Sequence, residues 1–370
     1  MNKRLVFLAA AVILLGLAAW LMPSIDPAGP SSASEAGPAP SFPTEPSARD
    51  VAKVQARKTL PPSAAATTTG VATGPGTTTA PSARRDALLA ALPPTAADVV
   101  VMEAQTFLGR PVIRGIAECL AMQGSQFPIA SLGLRTADLD RVAFADLGDA
   151  GSLTVVSGDV GKLDVNTLLK NSSETPYGEH GRVFASNGVP ATEASKMWFV
   201  ARWQDALVLV GRPRAQVEQA IDRLEGRSDG PPAFPESSMF GDAYGRVSAL
   251  TLSRILPAPM STQLDAAKLV VGFHINSQKD ILIAAEAHGD PAASQAIGKT
   301  TAAGLAAQRA DAATRGDKVM VKLLDVFRVR LTPDGFRLQA GFTEAYLRQQ
   351  LGACFEGGLP KDAAGGGAKP

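Results

Sequence analysis

The sequence predicts an α+β protein with mainly antiparallel sheets, carried behind an N-terminal transmembrane helix and a long disordered Pro/Ala/Thr linker. Three observations predict it. Short β-branched and aromatic runs bounded by Gly, Asp or Asn recur from residue 86 onward. These runs are grouped ahead of helical stretches, without the strict alternation of a parallel βαβ sheet. The order of runs then repeats, which predicts two similar α+β units at 86–229 and 230–357.

At the N-terminus, Lys3 and Arg4 precede an unbroken apolar run of 18 residues, Leu5 to Met22. At ~1.5 Å per residue it spans roughly 27 Å, close to the ~30 Å of a bilayer's hydrocarbon. The next charges, Asp26 and Glu35, are acidic. The positive-inside rule therefore places the N-terminus in the cytoplasm and the remainder outside. A cleaved signal peptide is the alternative, but Leu17-Ala18-Ala19 is a poor cleavage site and the apolar run continues past it. The expected setting is the bacterial inner membrane, single-pass, with the main domain extracytoplasmic; release into the periplasm follows if the signal is cleaved.

Residues 23–85 contain 11 of the chain's 27 prolines, interleaved with Ala, Ser, Thr and Gly. Such a segment cannot bury enough apolar surface to offset its ordering entropy, so it reads as a disordered tether. A flexible coil of these 63 residues averages roughly 45 Å end to end. Inside it, Arg49, Lys53, Arg57 and Lys58 form a basic cluster. It reads as a solvated charged patch, with a short helix docking on an acidic surface or wall polymer as the alternative. The last residues, 358–370, read as a second disordered stretch.

The first unit is predicted to hold strands at 98–102, 141–145, 152–156, 182–185, 197–203 and 206–210, with helices at 107–122 and 214–224. The second repeats the order with strands at 244–249, 268–274 and 280–285. The clearest echo closes each unit. DALVLVGRPRAQVEQAIDRLEG, from Asp205, matches DGFRLQAGFTEAYLRQQLGACFEG, from Asp334, each a turn, strand, Gly and helix.

Several chemistries find little footing. Lys+Arg 36 against Asp+Glu 35 leaves +1, without the basic excess of a general nucleic-acid binder. The segment Ala293-Ser-Gln-Ala-Ile-Gly298-Lys299-Thr300 fits a loose phosphate-loop pattern. It lacks the internal glycines that let backbone N–H groups wrap a phosphate, and Pro291 suits a helix's first turn, so Lys299 reads as an exposed helical lysine. His180, His274 and His288 have no His, Cys or carboxylate partner at metal-ligand spacing. Asp138 and Asp140 flank Leu139 as a solvated turn does. No catalytic, cofactor or metal residue is assigned, and no cofactor is expected.

Cys119 and Cys354 are the candidate disulfide, since each falls late in a predicted helix and exported proteins live where disulfides persist. A bridge over 235 residues would stabilise by about 5 kcal/mol on the chain-entropy account; two buried free thiols are the alternative. The functional expectation is a membrane-tethered extracytoplasmic binding or scaffolding protein of the cell envelope. The membrane is engaged through residues 5–22, and the partner is a protein, lipid or wall polymer. The alternative is an exported hydrolase whose site is assembled from dispersed residues.

Overall fold

A computed structural model of the chain describes residues 46–60, 85–110, 113, 138–162, 165, 169, 171–187, 197–228, 233, 238–253, 268–277 and 280–346. The predicted membrane helix at 5–22, both cysteines of the candidate disulfide and the stretch 358–370 lie outside these residues. No helix among them is long and apolar enough to cross a membrane.

The described strands are β1 (Asp98–Glu103), β2 (Leu139–Asp146), β3 (Ser152–Gly158), β4 (Ser172–Tyr177), β5 (Gly181–Ser186), β6 (Phe199–Trp203), β7 (Leu207–Arg212), β8 (Ala243–Ser248), β9 (Val270–Asn276), β10 (Ile281–His288), β11 (Phe327–Thr332) and β12 (Gly335–Phe342). All belong to one 12-stranded sheet in the order β11-β12-β10-β9-β8-β1-β2-β3-β7-β6-β5-β4. Every pairing is antiparallel. This bears out the α+β class. Outward from the central β1/β8 pair, β1-β2-β3-β7-β6 and β8-β9-β10-β12-β11 follow the same order.

The helices are α1 (Ala48–Ala56), α2 (Ala87–Ala90), α3 (Ala104–Leu108), α4 (Arg214–Leu224), α5 (Ala249–Ser253), α6 (Pro291–Thr314) and α7 (Lys318–Asp325). Helix α3 directly follows β1, and α5 directly follows β8. The strand expectations hold to within a few residues, and α4 falls where its spacing of Val217, Ile221 and Leu224 placed it. β4 and β11 are additional. β4 has the sequence SSETPY with its middle residues exposed, so no apolar alternation marked it. β11 sits just after an apolar helix, and the two run together in sequence.

Alternation along each strand divides the core between the two faces of the sheet. The front face buries Val100, Val142, Phe144, Val156 and Val208 in one half, and Phe273, Ile275, Ile283, Ala285 and Phe342 in the other, where Ile297 of α6 joins them. The back face buries Val99, Val101, Ala143, Val155, Leu209 and Ala201 in one cluster with Leu88 and Leu89 of α2 and Val217, Ala220, Ile221 and Leu224 of α4. Each fully buried aliphatic side chain contributes about 1.5–3 kcal/mol relative to exposure. That back-face core belongs mainly to the β1–β7 half, and Tyr244 of β8 joins it at the seam, with Met239.

Polar contacts tie the halves across the β1/β8 seam. Asp98 of β1 accepts the Ser248 N–H and the Thr251 hydroxyl, each at 2.5 Å, and so anchors the start of α5. Arg246 of β8 reaches back to the Pro94 and Ala96 carbonyls at 3.1 and 2.7 Å. The segment read as tether also contributes to the body. Helix α1 begins with a capping box between Ser47 and Asp50. Just past its end, Arg57 donates to both carboxylate oxygens of Glu103, at 2.7 and 2.5 Å. Leu60 is buried and pairs its backbone with Arg85. Of the four basic residues in the cluster, Arg57 is therefore an ion-pair partner of the sheet and not a solvated charge.

Candidate functional surface

The back face changes chemistry beyond the β1/β8 seam, where Tyr244 of β8 still belongs to the first half's core. Cross-strand register makes this explicit. In the first half one continuous row runs Val101, Ala143, Val155, Leu209, Ala201, Val183, from β1 through to β5. All six side chains are buried. In the second half the corresponding row, from β8 to β11, runs Arg246, Gly272, Glu286, Arg337, Arg330. The strand order is the same and the row is charged.

Glu286 is the centre of that row. Its carboxylate pairs with the Arg337 guanidinium and lies 3.5 Å from His288 Nε2. Arg330 stands directly opposite Arg337, and Arg328 opposite Gln339. Like charges directly opposite one another destabilise a sheet, so this placement is not explained by pairing energy. Arg328 and Arg330 are both exposed and have no carboxylate partner among the described residues. On the same face, the Thr332 hydroxyl and Arg337 Nε are buried without a hydrogen-bond partner. The surface thus ends at β11 in guanidinium donors of one sign, a geometry suited to carboxylate or phosphate groups.

Towards the seam the same face is closed. His274 of β9 stacks on Phe240 with ring centroids 3.7 Å apart, and its Nδ1 lies 3.3 Å from the Phe240 carbonyl. Burial lowers its pKa below the usual imidazole value, a shift opposed in part by the Phe240 carbonyl and Glu286. Nearby, Asp86 takes two hydrogen bonds from Arg141, at 2.7 and 2.9 Å, with both side chains buried. Burial opposes the Arg141 charge, but the bonds and charge of Asp86 outweigh it and hold the guanidinium above its ordinary pKa. Tyr244, beside this pair, is pushed up to about 12 by burial. These groups are held by one another.

The other residues singled out from the sequence are placed as follows. Ala293–Thr300 lies inside α6, whose N-cap Asp290 accepts the Ala293 N–H at 2.8 Å. Lys299 is exposed on that helix, and the Thr300 hydroxyl donates to the Ala296 carbonyl at 3.0 Å. Gly298 has a packing reason: a Cβ there would come within 2.9 Å of Leu331 and Phe336 side-chain atoms. His180 is exposed in the β4–β5 turn, edge-on to Trp203, far along the strand order from the other two histidines. Asp138 uses its carbonyl to receive the Asp159 N–H at 2.8 Å. Among the described residues no group of three or more His, Cys, Asp or Glu is placed to hold a metal ion.

The charged row was not singled out from the sequence. Its members are 246, 286, 330 and 337, brought together only by register. The available signal was parity: in Phe327-Arg-Val-Arg-Leu331 and Phe336-Arg-Leu-Gln339 the polar residues occupy alternate positions, marking one face as wet.

No family model and no curated protein sequence matches this chain. Among solved structures, crystal form I of TP0453 matches with 10% sequence identity and a TM-score of 0.42, over 72% of this chain and 98% of that one.

Proposed function

We propose that the protein is a membrane-tethered, extracytoplasmic binding or scaffolding module whose presenting surface is the back face of the sheet's second half. The apolar run at 5–22 anchors it, the Pro-rich segment lets it reach, and two α+β units that arose by tandem duplication form the body. One observation carries the reading. The same face that serves as core in the first half is charged in the second, ending at Arg328 and Arg330 with no carboxylate partner among the described residues. A duplicated framework that keeps one unit closed and exposes polar groups on the other suits a binder: one unit gives stability and the other gives contact.

The test places a photoreactive residue at Arg330 in the full-length chain expressed in cells, with a second variant carrying it at Arg182, an exposed arginine of β5 in the first half. The reading expects membrane-fraction protein that gives one discrete adduct from position 330 and none from 182. Equal labelling from both positions, or none from either, contradicts it.

A further inference from the structure

The two edges of the sheet differ in how they are guarded. β4 carries Pro176, which has no N–H to offer a neighbouring strand, and its Glu174 is held at 3.2 Å by Arg182. β11 has the sequence FRVRLT and contains no proline. Apart from its ladder with β12, residues 327–332 make no backbone–backbone hydrogen bond among the described residues, and the Gln295 side chain of α6 donates to the Thr332 carbonyl at 3.0 Å at the strand's end. An unpaired edge of this kind is a template for another strand.

Among the described residues, the charges that β11 itself carries are of one sign. Phe327, Val329 and Leu331 share the front side with α6, Leu331 being 47% exposed; Arg328 and Arg330 share the back. A second copy of β11 added antiparallel would set arginines against arginines, which the sheet penalises. An acidic strand meets the opposite condition, carboxylates beside two exposed guanidiniums. We propose that β11 is the docking edge for an extended acidic segment of a partner protein. It adds to the 12 strands, with Asp or Glu at alternate positions beside Arg328 and Arg330 and apolar residues between them beside Val329 and Leu331. Main-chain bonds supply affinity and the alternation supplies selection. This names the partner's chemistry for the surface proposed above and rests on that reading.

The experiment uses the full chain in detergent and a synthetic octapeptide of alternating Glu and Val. Two controls accompany it: the same peptide with Lys for Glu, and the Glu peptide with alternate backbone amides N-methylated. Binding is read by fluorescence anisotropy, and hydrogen exchange reports on residues 327–332. The expected result is binding of the Glu peptide with slowed exchange in β11, and loss on N-methylation. The double variant Arg328→Glu/Arg330→Glu should bind it at least about tenfold more weakly and accept the Lys peptide instead.

Binding that survives N-methylation, or leaves β11 exchange unchanged, overturns strand addition and reduces the site to charge adhesion. Equal binding of a polyphosphate assigns the arginines to a polyanion and also overturns it. Protection of β11 that rises with protein concentration alone gives the edge to a second copy. A discrete photo-adduct at position 330 together with unprotected β11 amides leaves the surface reading standing while this one falls.

Discussion

Two halves of one sheet share a strand order and differ in what they do with one face. In the first, Val101, Ala143, Val155, Leu209 and Ala201 form a dry row in one core with α2 and α4. In the second, Arg246, Gly272, Glu286, Arg337 and Arg330 take the matching row. Backbone pairing is indifferent to the change because side chains leave the ladder perpendicular to it. A common framework can therefore hold an interior on one side of the seam and a presented surface on the other. The front face shows the reverse economy: it is apolar in both halves.

The largest expected effect exchanges residues between the rows. Leu209→Arg puts an unpaired charge into a fully buried position and should cost roughly 5 kcal/mol or more, comparable with a typical domain's whole stability. Arg337→Leu, the reverse exchange, removes a partly exposed ion pair and should change stability by less than about 1 kcal/mol. Urea unfolding of both variants checks this. Similar losses in the two would erase the distinction between interior and surface.

A smaller effect is expected where the closed half is polar. Arg141→Met removes the charge partner of Asp86, which keeps only its N-cap bonds from the Leu88 and Leu89 N–H groups, and should cost about 3 kcal/mol; Asp86→Leu/Arg141→Met should recover part of this, less the roughly 1 kcal/mol of the lost cap. Asp86→Asn, which keeps an N-cap acceptor, paired with Arg141→Met separates the two roles: no recovery there would mean that Arg141 acts through something other than the Asp86 charge. On the α1 side, Arg57→Ala should increase proteolysis within residues 48–58 before the sheet itself loosens, because Arg57 ties that helix to Glu103.

The smallest is a pH effect at the seam of the two surfaces. His274 has a folded-state pKa below its unfolded one, so below the usual imidazole range the unfolded chain binds more protons than the folded one. Its contribution to stability is complete above the unfolded pKa and is lost as pH falls through the folded value. Thermal unfolding between pH 7 and 5 should show this decline, and His274→Phe, which keeps a ring against Phe240, should flatten it. An unchanged slope in the variant would place the titration elsewhere.

Much of the framework was legible in sequence because it is local. Short β-branched and aromatic runs gave the strands, the Val217, Ile221, Leu224 spacing gave α4, and Pro291 marked the first turn of α6. What was not legible depends on partners distant in sequence. Nothing near Val99 announces that Arg246 will stand opposite it, so the joining of both halves into one sheet had no local signal. Arg57 and Glu103 are 46 residues apart, and composition alone made Arg57 look solvated. The charged row had a local trace in the parity of Arg328, Arg330 and Arg337, but Glu286 enters it only through the β10–β12 register. Gly298 resembled part of a phosphate loop until Leu331 and Phe336 supplied the reason for its missing side chain.

The central claim, that one half's back face is interior and the other's is presented, is tested most directly by arginine-selective labelling of the native full-length chain with site-by-site mass analysis. Arg328 and Arg330 should react fastest. Arg141, held by Asp86, and Arg223, which donates to the Ala91 carbonyl at 2.8 Å, should react only after unfolding. Protection of Arg328 and Arg330 to the level of Arg141 would show that the second half's face is covered like the first, and the account would be contradicted at its root.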